Sequence, residues 1–423
     1  MPSLFSSLPL LVALSALALP ANAQGLGQLI ATALASHPSA QSQRALVNSA
    51  QEGVGGARWQ FFPTPSVTVE TARTSSSDRL YQGDDRVSIL RLQQPLWTGG
   101  RLTAGLEKAE ANLTASESSL EETRQQLALR VVQTYGDWLS AHLRVLASEK
   151  SLAVHLRLRD QVARRIVEGA AADSDRTLAV ARLGSISADV TAGSTQRDIA
   201  LARLGQLLGR RVDGASLAST PAVPRPLGGS VESLLDQALS INPAVQKARA
   251  QSKVQASVIE ERRADLSPEV YVRVERQIGN FTFSDGAPEN RLFFGLNTRF
   301  GAGLANLSNI EAARSQHQSA LAEVDAQTRV VSEQVLSDYA QAATADSRLQ
   351  ALRASLEATK EVALSYDRQY LAGRKSWLDV MNTARELAQT ESQLADLQST
   401  QVVSTWRLAI FTRGVADVTG GAQ

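Results

Sequence analysis

The chain has no cysteine, few aromatic side chains and no surplus of either charge. Each shortage removes a class of function. Without cysteine there can be no disulfides, no thiolate chemistry and no Cys-ligated metal. With 43 basic and 42 acidic residues the net charge is +1, so there is no basic field for nucleic acid, and electrostatics nominates no partner. An aromatic share of 5%, with Ala, Leu, Gln, Ser, Arg and Glu dominant, suits long, thinly packed helices. Long apolar runs are missing as well. After the N-terminal segment no stretch approaches 18 apolar residues, so a membrane crossing, if there is one, must be made by strands.

Proline is the most informative scarcity. Leu96 to Thr220 and Glu289 to Gln423 contain none. Proline inside a helix costs about 3 kcal/mol, so these two stretches read as helix. Leu106, Leu113, Leu120 and Leu127 recur every seven residues, Leu349, Leu352 and Leu356 follow a/d spacing, and Val380, Leu387 and Leu394 are again seven apart. These are coiled-coil seams. Gly169, followed by Ala170 to Asp175, and Gly373, followed by Arg374 to Asp379, carry the stop and restart signals of helical hairpins. The first arms, about Arg101 to Glu168 and Gly303 to Ala372, would run about 100 Å and must project. The return arms, Ser174 to Leu208 and Ser376 to Phe411, are shorter. Shorter helices are expected over Gly25 to Phe62 and Val231 to Leu266, broken near Pro38 and Pro243.

What is present is present twice. Pro38, Arg44, Pro63, Val67, Val69 and Glu70 are answered 205 residues later by Pro243, Arg249, Pro268, Val272, Val274 and Glu275. Tyr135, Gly169, Asp175, Leu183 and Arg203 are answered 204 later by Tyr339, Gly373, Asp379, Leu387 and Arg407. The repeat is about 190 residues long, well beyond a solenoid module. Residues 24–213 and 230–415 form the two repeats, 214–229 a Pro-rich linker and 416–423 a tail. Residues 1–23 resemble an export signal: Leu8 to Leu19 is apolar and Ala21-Asn22-Ala23 is a cleavage pattern, although the n-region lacks Lys and Arg. Cleavage would expose Gln24, so no lipid anchor is expected there.

Each repeat also holds a β-like segment between its short and long helices. Val270, Val272 and Val274 alternate with Tyr271, Arg273, Glu275 and Gln277, and Leu292, Phe294, Leu296 and Phe300 alternate with Gly295, Asn297 and Arg299. The first repeat shows this more faintly in Val67, Val69 and Thr71, then in Val87 and Ile89. Polar tips over Thr74 to Asp85 and Ser284 to Asn290 join the strands. Strands of this kind match outer-membrane barrels. Four cannot close a barrel, and an open edge in lipid leaves backbone groups unsatisfied at several kcal/mol each. Other copies of the chain are therefore needed to finish the sheet. Two soluble hairpins packed on helices remain the competing reading.

The chain resembles the TolC-like outer-membrane efflux and secretion proteins over nearly all of its mature length. Pro95-Leu96-Trp97-Thr98-Gly99-Gly100 and Tyr370-Leu371-Ala372-Gly373-Arg374-Lys375-Ser376-Trp377-Leu378-Asp379-Val380 carry the resemblance, with the duplicated halves. It implies a mainly α fold with a small β-barrel part, completed as a trimeric 12-stranded barrel and an α-helical tunnel. The homotrimer would touch outer-membrane lipid and extend into the periplasm. It would act as a passive duct, energised by an inner-membrane transporter through a periplasmic adaptor of the membrane fusion protein class. The resemblance places Asp379 in an acidic ring at the periplasmic entrance, with Tyr370 and Lys375 reaching toward Asp175 on the neighbouring hairpin. The second acidic position is Asn382 here, so the ring would carry three charges per trimer. Both aspartates also suit ordinary helix N-terminal charge. The turns Gly169-Ala170 and Gly373-Arg374 are the expected adaptor contacts, with plain turn chemistry as the alternative.

Other sites find no support. His37, His142, His155 and His317 have no partners at metal-ligand spacing, and His142 and His155 read as solvated helix positions. Gly53-Val54-Gly55-Gly56 follows a helix rather than a strand and lacks phosphate-loop spacing. No GxSxG elbow or acid/base pair points to an enzyme, and no cofactor or metal is expected. The function expected is the exit duct of a type I secretion system with an ABC transporter. The alternatives are a tripartite drug or metal efflux duct, served by an ABC or a proton-driven pump, and a non-channel coiled-coil protein of the envelope.

Overall fold

A computed structural model describes residues 25–73, 82–219, 229–283, 287–298 and 305–420. The export-like segment, residues 74–81 and 284–286 of the strand-joining tips, residues 220–228 of the Pro-rich linker, Arg299, Phe300 and the Gly303 helix start lie outside these residues.

Two segments of 67 residues each, α3 (Arg101–Val167) and α7 (Ala305–Leu371), are continuous helices, each about 100 Å long at the helical rise. The leucine seams explain how such length is held: Leu127, Leu349, Leu356 and Val380 are buried, and the other seam residues are half-buried. The return arms are α4 (Asp173–Leu208) and α8 (Trp377–Arg413). Short helices α1 (Leu26–Ser36) and α2 (Pro38–Trp59) precede the first strands, and α5 (Val231–Ile241) and α6 (Pro243–Ala264) precede the second pair. The breaks fall at the prolines because Pro suits a first helical turn but cannot continue one. His37 caps α2 and Asn242 caps α6, each accepting from the backbone two residues on. A final turn of helix, α9 (Val415–Val418), and a 3-10 turn at Gly214–Ser216 complete the chain. Leu217, just past that turn, is buried, and the Tyr135 hydroxyl donates to the Ala218 carbonyl, so this stretch is tied to α3.

The strands β1 (Thr64–Thr71), β2 (Arg86–Trp97), β3 (Glu269–Ile278) and β4 (Glu289–Asn297) form one antiparallel sheet in the order β1-β2-β3-β4. Both repeats contribute a hairpin, and the β2–β3 pairing joins them. The register places Val67 opposite Leu90, Leu92 opposite Val274, Val274 opposite Leu292, and Val272 opposite Phe294 on one face. Over most of its length that face is exposed and apolar: Val67, Leu90, Leu92, Val274, Leu292, Phe294 and Leu296 all lie open, and its charged members, Arg86 and Arg276, stand at the end nearest the strand-joining tips. The other face carries Arg91, Arg273 and Arg291, with Glu275 accepting from Arg91 at 2.5 Å and lying 2.9 Å from Arg273. Val87 and Ile89 belong to this second face, since they pair with Glu70 and Thr68. The apolar stripe of Val67 and Val69 is continued on β2 by Leu90 and Leu92 instead. Around Pro95, which has no N–H to give the ladder, the register shifts before Trp97.

The helices lie side by side in the same manner. Next to the sheet the order is α2, α3, α6, α7, and toward the hairpin tips it is α4, α3, α8, α7. Every layer is an open arc. Among the described residues its unpaired edges are β1 and β4, then α2 and α7, then α4 and α7. Among the described residues, no helix is long and apolar enough to cross a membrane.

Candidate gate at the hairpin tips

The two hairpins end alike. In the first, the Gly169 N–H donates to Ile166 and the Ala170 N–H to Arg165 at 2.8 Å; in the second, the Gly373 N–H donates to Tyr370 and the Arg374 N–H to Gln369 at 2.8 Å. Gly169 and Gly373 have φ of +74° and +75°, a left-handed conformation that side chains resist. All four turn residues are exposed. Val167 and Leu371, one repeat apart, are exposed just before the turns, Val167 to 89%.

The two tips differ in what restarts the helix. Asp173 pairs with Arg176 at 2.6 Å in the first turn of α4, and Asp175 is half-buried beside it. In the second hairpin Ser376 and Asp379 form a reciprocal cap: the Asp379 N–H donates to Ser376 Oγ at 3.2 Å, and Asp379 Oδ2 accepts from the Ser376 amide at 3.2 Å and hydroxyl at 2.8 Å. Those bonds from Ser376, with Lys375 nearby adding a little, hold the Asp379 carboxyl below the usual carboxylate range. Asn382 is exposed a turn further along α8.

Tyr370 is buried at the centre of a small core that draws on all four long helices: Leu158 and Val162 of α3, Ala179 of α4, and Trp377 and Val380 of α8. Its ring meets that of Trp377 at 5.7 Å, and the Arg165 guanidinium lies over it at 4.5 Å. Arg165 also donates to the Leu371 carbonyl at 3.3 Å, tying one hairpin to the other. Lys375 lies over the ring of Tyr366 at 4.3 Å. The structure therefore brings Tyr370 to Trp377 and Arg165, Lys375 to Tyr366, and Asp379 to Ser376. Within the protomer, among the described residues, Lys375 and Asp175 form no ion pair.

Sequence reasoning missed Arg165, Tyr366 and Trp377, although Trp377 lies within the hairpin motif and Tyr366 just before it. It also misread one histidine. His155 is buried at 4% exposure, with Nδ1 donating to the Ser151 carbonyl at 2.8 Å, because it occupies a seam position of α3 that faces the other helices. His142 is half-buried and stacks on Trp138 at 5.2 Å. Among the described residues no group of three acidic or histidine side chains is placed to hold a metal ion.

A sheet with one open apolar face, joined to long helical hairpins that are tied together near their tips, defines the class of outer-membrane channels. The sequence profile described as outer membrane efflux protein matches residues 29–210 and 234–410, one stretch per repeat. The chain belongs to the outer membrane efflux protein family and resides in the outer membrane as one of its channels. Outer membrane efflux protein BepC of Brucella suis biovar 1 (strain 1330) is 24% identical over 393 residues, spanning 90% of this chain and 83% of BepC. The same fold is found in VceC of Vibrio cholerae, with a TM-score of 0.79 at 17% identity over 92% of this chain and 96% of that one. CusC shares it with a TM-score of 0.78 at 18% identity over 92% of both chains. The open state of MtrE of Neisseria gonorrhoeae gives a TM-score of 0.75 at 18% identity, over 94% of this chain and 89% of that one.

Proposed function

We propose that three copies close into one duct, β4 of each joining β1 of the next and α7 lying against the next copy's α2 and α4. The observation that carries this is the open arc in every layer. A strand edge cannot face lipid unpaired, and the edge helices expose Leu46 on α2, Val180 and Ile199 on α4, and Leu307, Leu321, Val330, Leu336 and Leu364 on α7. The exposed Val, Leu and Phe face of the sheet is then the lipid belt, and the Arg and Glu face lines the bore. The two repeats, 24–213 and 230–415, supply alternate sectors of the ring.

The duct does no chemistry of its own. Energy reaches it from an inner-membrane transporter through a periplasmic adaptor that meets the exposed turns Gly169-Ala170 and Gly373-Arg374. Lys375 and Asp175, Asp379 and the buried Tyr370 make up the gate at that end, with Asn382 in place of a second acidic residue. Type I secretion of protein is one use of such a duct. The family description and the name of BepC speak of efflux and favour small-molecule export through a tripartite pump. Purified from outer membranes in detergent, the protein is expected to run as a trimer and to give discrete conductance steps in planar bilayers. A monomer that conducts nothing would overturn the duct. Loss of a secreted protein from a deletion strain identifies type I export, and a gain in drug or metal sensitivity identifies efflux.

A further inference from the structure

We infer that each protomer carries a binding site for a small oxyanion such as sulfate or phosphate, in a crevice between α3, α4 and α8 that borders the Tyr370 core at Met381. The crevice encloses about 240 Å³, several times the share of liquid taken by one water. Arg182 of α4 and Arg385 of α8 line it from opposite helices, with Ser151 and His155 of α3, Ser392 of α8 and Asp189 of α4. Neither arginine has an ion pair or hydrogen bond among the described residues, which sets them apart from Arg176, Arg197 and Arg407 of the same helices. Two guanidiniums face a single carboxylate, so the crevice holds a net positive charge at any physiological pH.

The donor set fits an oxyanion rather than a cation or an apolar molecule. Guanidinium forks match the paired oxygens of phosphate and sulfate, and hydroxyls such as that of Ser392 supply further neutral donors. His155 Nδ1 is engaged by the Ser151 carbonyl, which fixes the ring in the wall of the crevice. Burial lowers the affinity of that ring for a proton, the Ser151 bond opposes this, and the charge of Arg182 lowers it further, so the histidine itself registers the positive field. Arg182 and Asp189 from α4 and Arg385 from α8 are the charged groups that face it.

The test is calorimetric titration of sulfate into the full-length protein in detergent, with ionic strength held constant by chloride so that general screening cancels. Saturable binding of one sulfate per chain is expected. Arg182→Gln and Arg385→Gln should each weaken it by about tenfold or more, the effect of losing charge-assisted hydrogen bonds. Arg385 is exposed and Arg182 half-buried, so the variants should keep the helical circular dichroism of the parent. No saturable heat with the parent protein, or equal affinity in the parent and both variants, would overturn the site. Neither result bears on whether the protein conducts.

Discussion

Arg407 Nε lies 3.1 Å from each carboxylate oxygen of Asp338, joining α8 to α7 where the aspartate is buried. Gln334 adds a donor at 3.1 Å. Burial raises the Asp338 pKa, and the charge and hydrogen bonds of Arg407 pull it back. The repeat partner of Arg407 is Arg203, which is exposed, and that of Asp338 is Thr134, so only one half of the duplicated unit owns this pair. Removing Arg407 strands a buried carboxylate, a change that costs about 3 to 5 kcal/mol. Arg407→Ala is therefore expected to lower the thermal midpoint far more than Arg203→Ala, which should stay within about 0.5 kcal/mol of the parent. Adding Asp338→Asn to Arg407→Ala should restore much of the loss. Equal melting of the two single variants would refute the asymmetry.

The proposed latch makes a prediction of its own. A pair near water such as Lys375 with Asp175 of the adjoining hairpin, both half-buried in the protomer, is worth about 1 kcal/mol, but threefold symmetry repeats it. Asp175→Ala and Lys375→Ala are each expected to raise single-channel conductance in planar bilayers. Tyr370→Phe should differ. The Tyr370 hydroxyl is buried with no partner among the described residues of the protomer, so its loss should leave the closed conductance unchanged, whereas Arg165→Ala removes both the cation over that ring and the bond to Leu371 and should loosen the tip. Unchanged conductance in both charge variants would remove them from the gate.

Stability should fall on mild acidification through two histidines of α3. Burial is the largest cause of a lowered pKa at both His155 and His142. The folded state thus binds the proton less readily than the unfolded chain, whose histidines titrate near 6.5. The unfolded state takes up more protons between the folded pKa and 6.5, so stability is complete above 6.5 and declines as pH drops below it. A melting series from pH 7.5 to 5 should show this slope, and His155→Gln should flatten it. A slope that survives in a variant lacking both His155 and His142 would place its origin elsewhere.

Much of this architecture was legible because it rests on long-period signals. The leucine seams and the two proline-free stretches placed α3 and α7 to within a few residues, and Gly169 and Gly373 marked the turns. The return-arm helices start one residue from the expected positions, at Asp173 and Trp377; Trp377 is the first helical residue because Ser376 serves as the cap. The failures were local. Val87 and Ile89 alternate as well as any strand pair, but alternation does not say which face is which; that follows from pairing with Thr68 and Glu70. His155 looked like surface because single histidines usually are, and only the packing of α4 and α8 against α3 buries it. Arg165 gave no signal at all, since its partner ring stands more than two hundred residues away, at Tyr370.

The sheet supplies the last prediction, and it separates the two faces that alternation alone confuses. Phe294 stands 76% exposed on the apolar face, between Leu292 and Leu296, where the proposed duct meets lipid. Arginine on the lipid face of a barrel strand costs about 2 to 4 kcal/mol near the midplane. Phe294→Arg should therefore reduce the amount of trimer recovered from the outer membrane, measured by quantitative blotting of membrane fractions. Ile89→Gln lies on the face that carries Arg91 and Glu275, so it meets polar neighbours and should assemble at the parental level. Were Ile89→Gln to block assembly while Phe294→Arg did not, the faces would be reversed, and the charged cluster around Glu275 would have to sit in hydrocarbon. Its two arginines and one glutamate would then be buried without water, a cost that turns the Phe294 face toward lipid and the Glu275 face toward the bore.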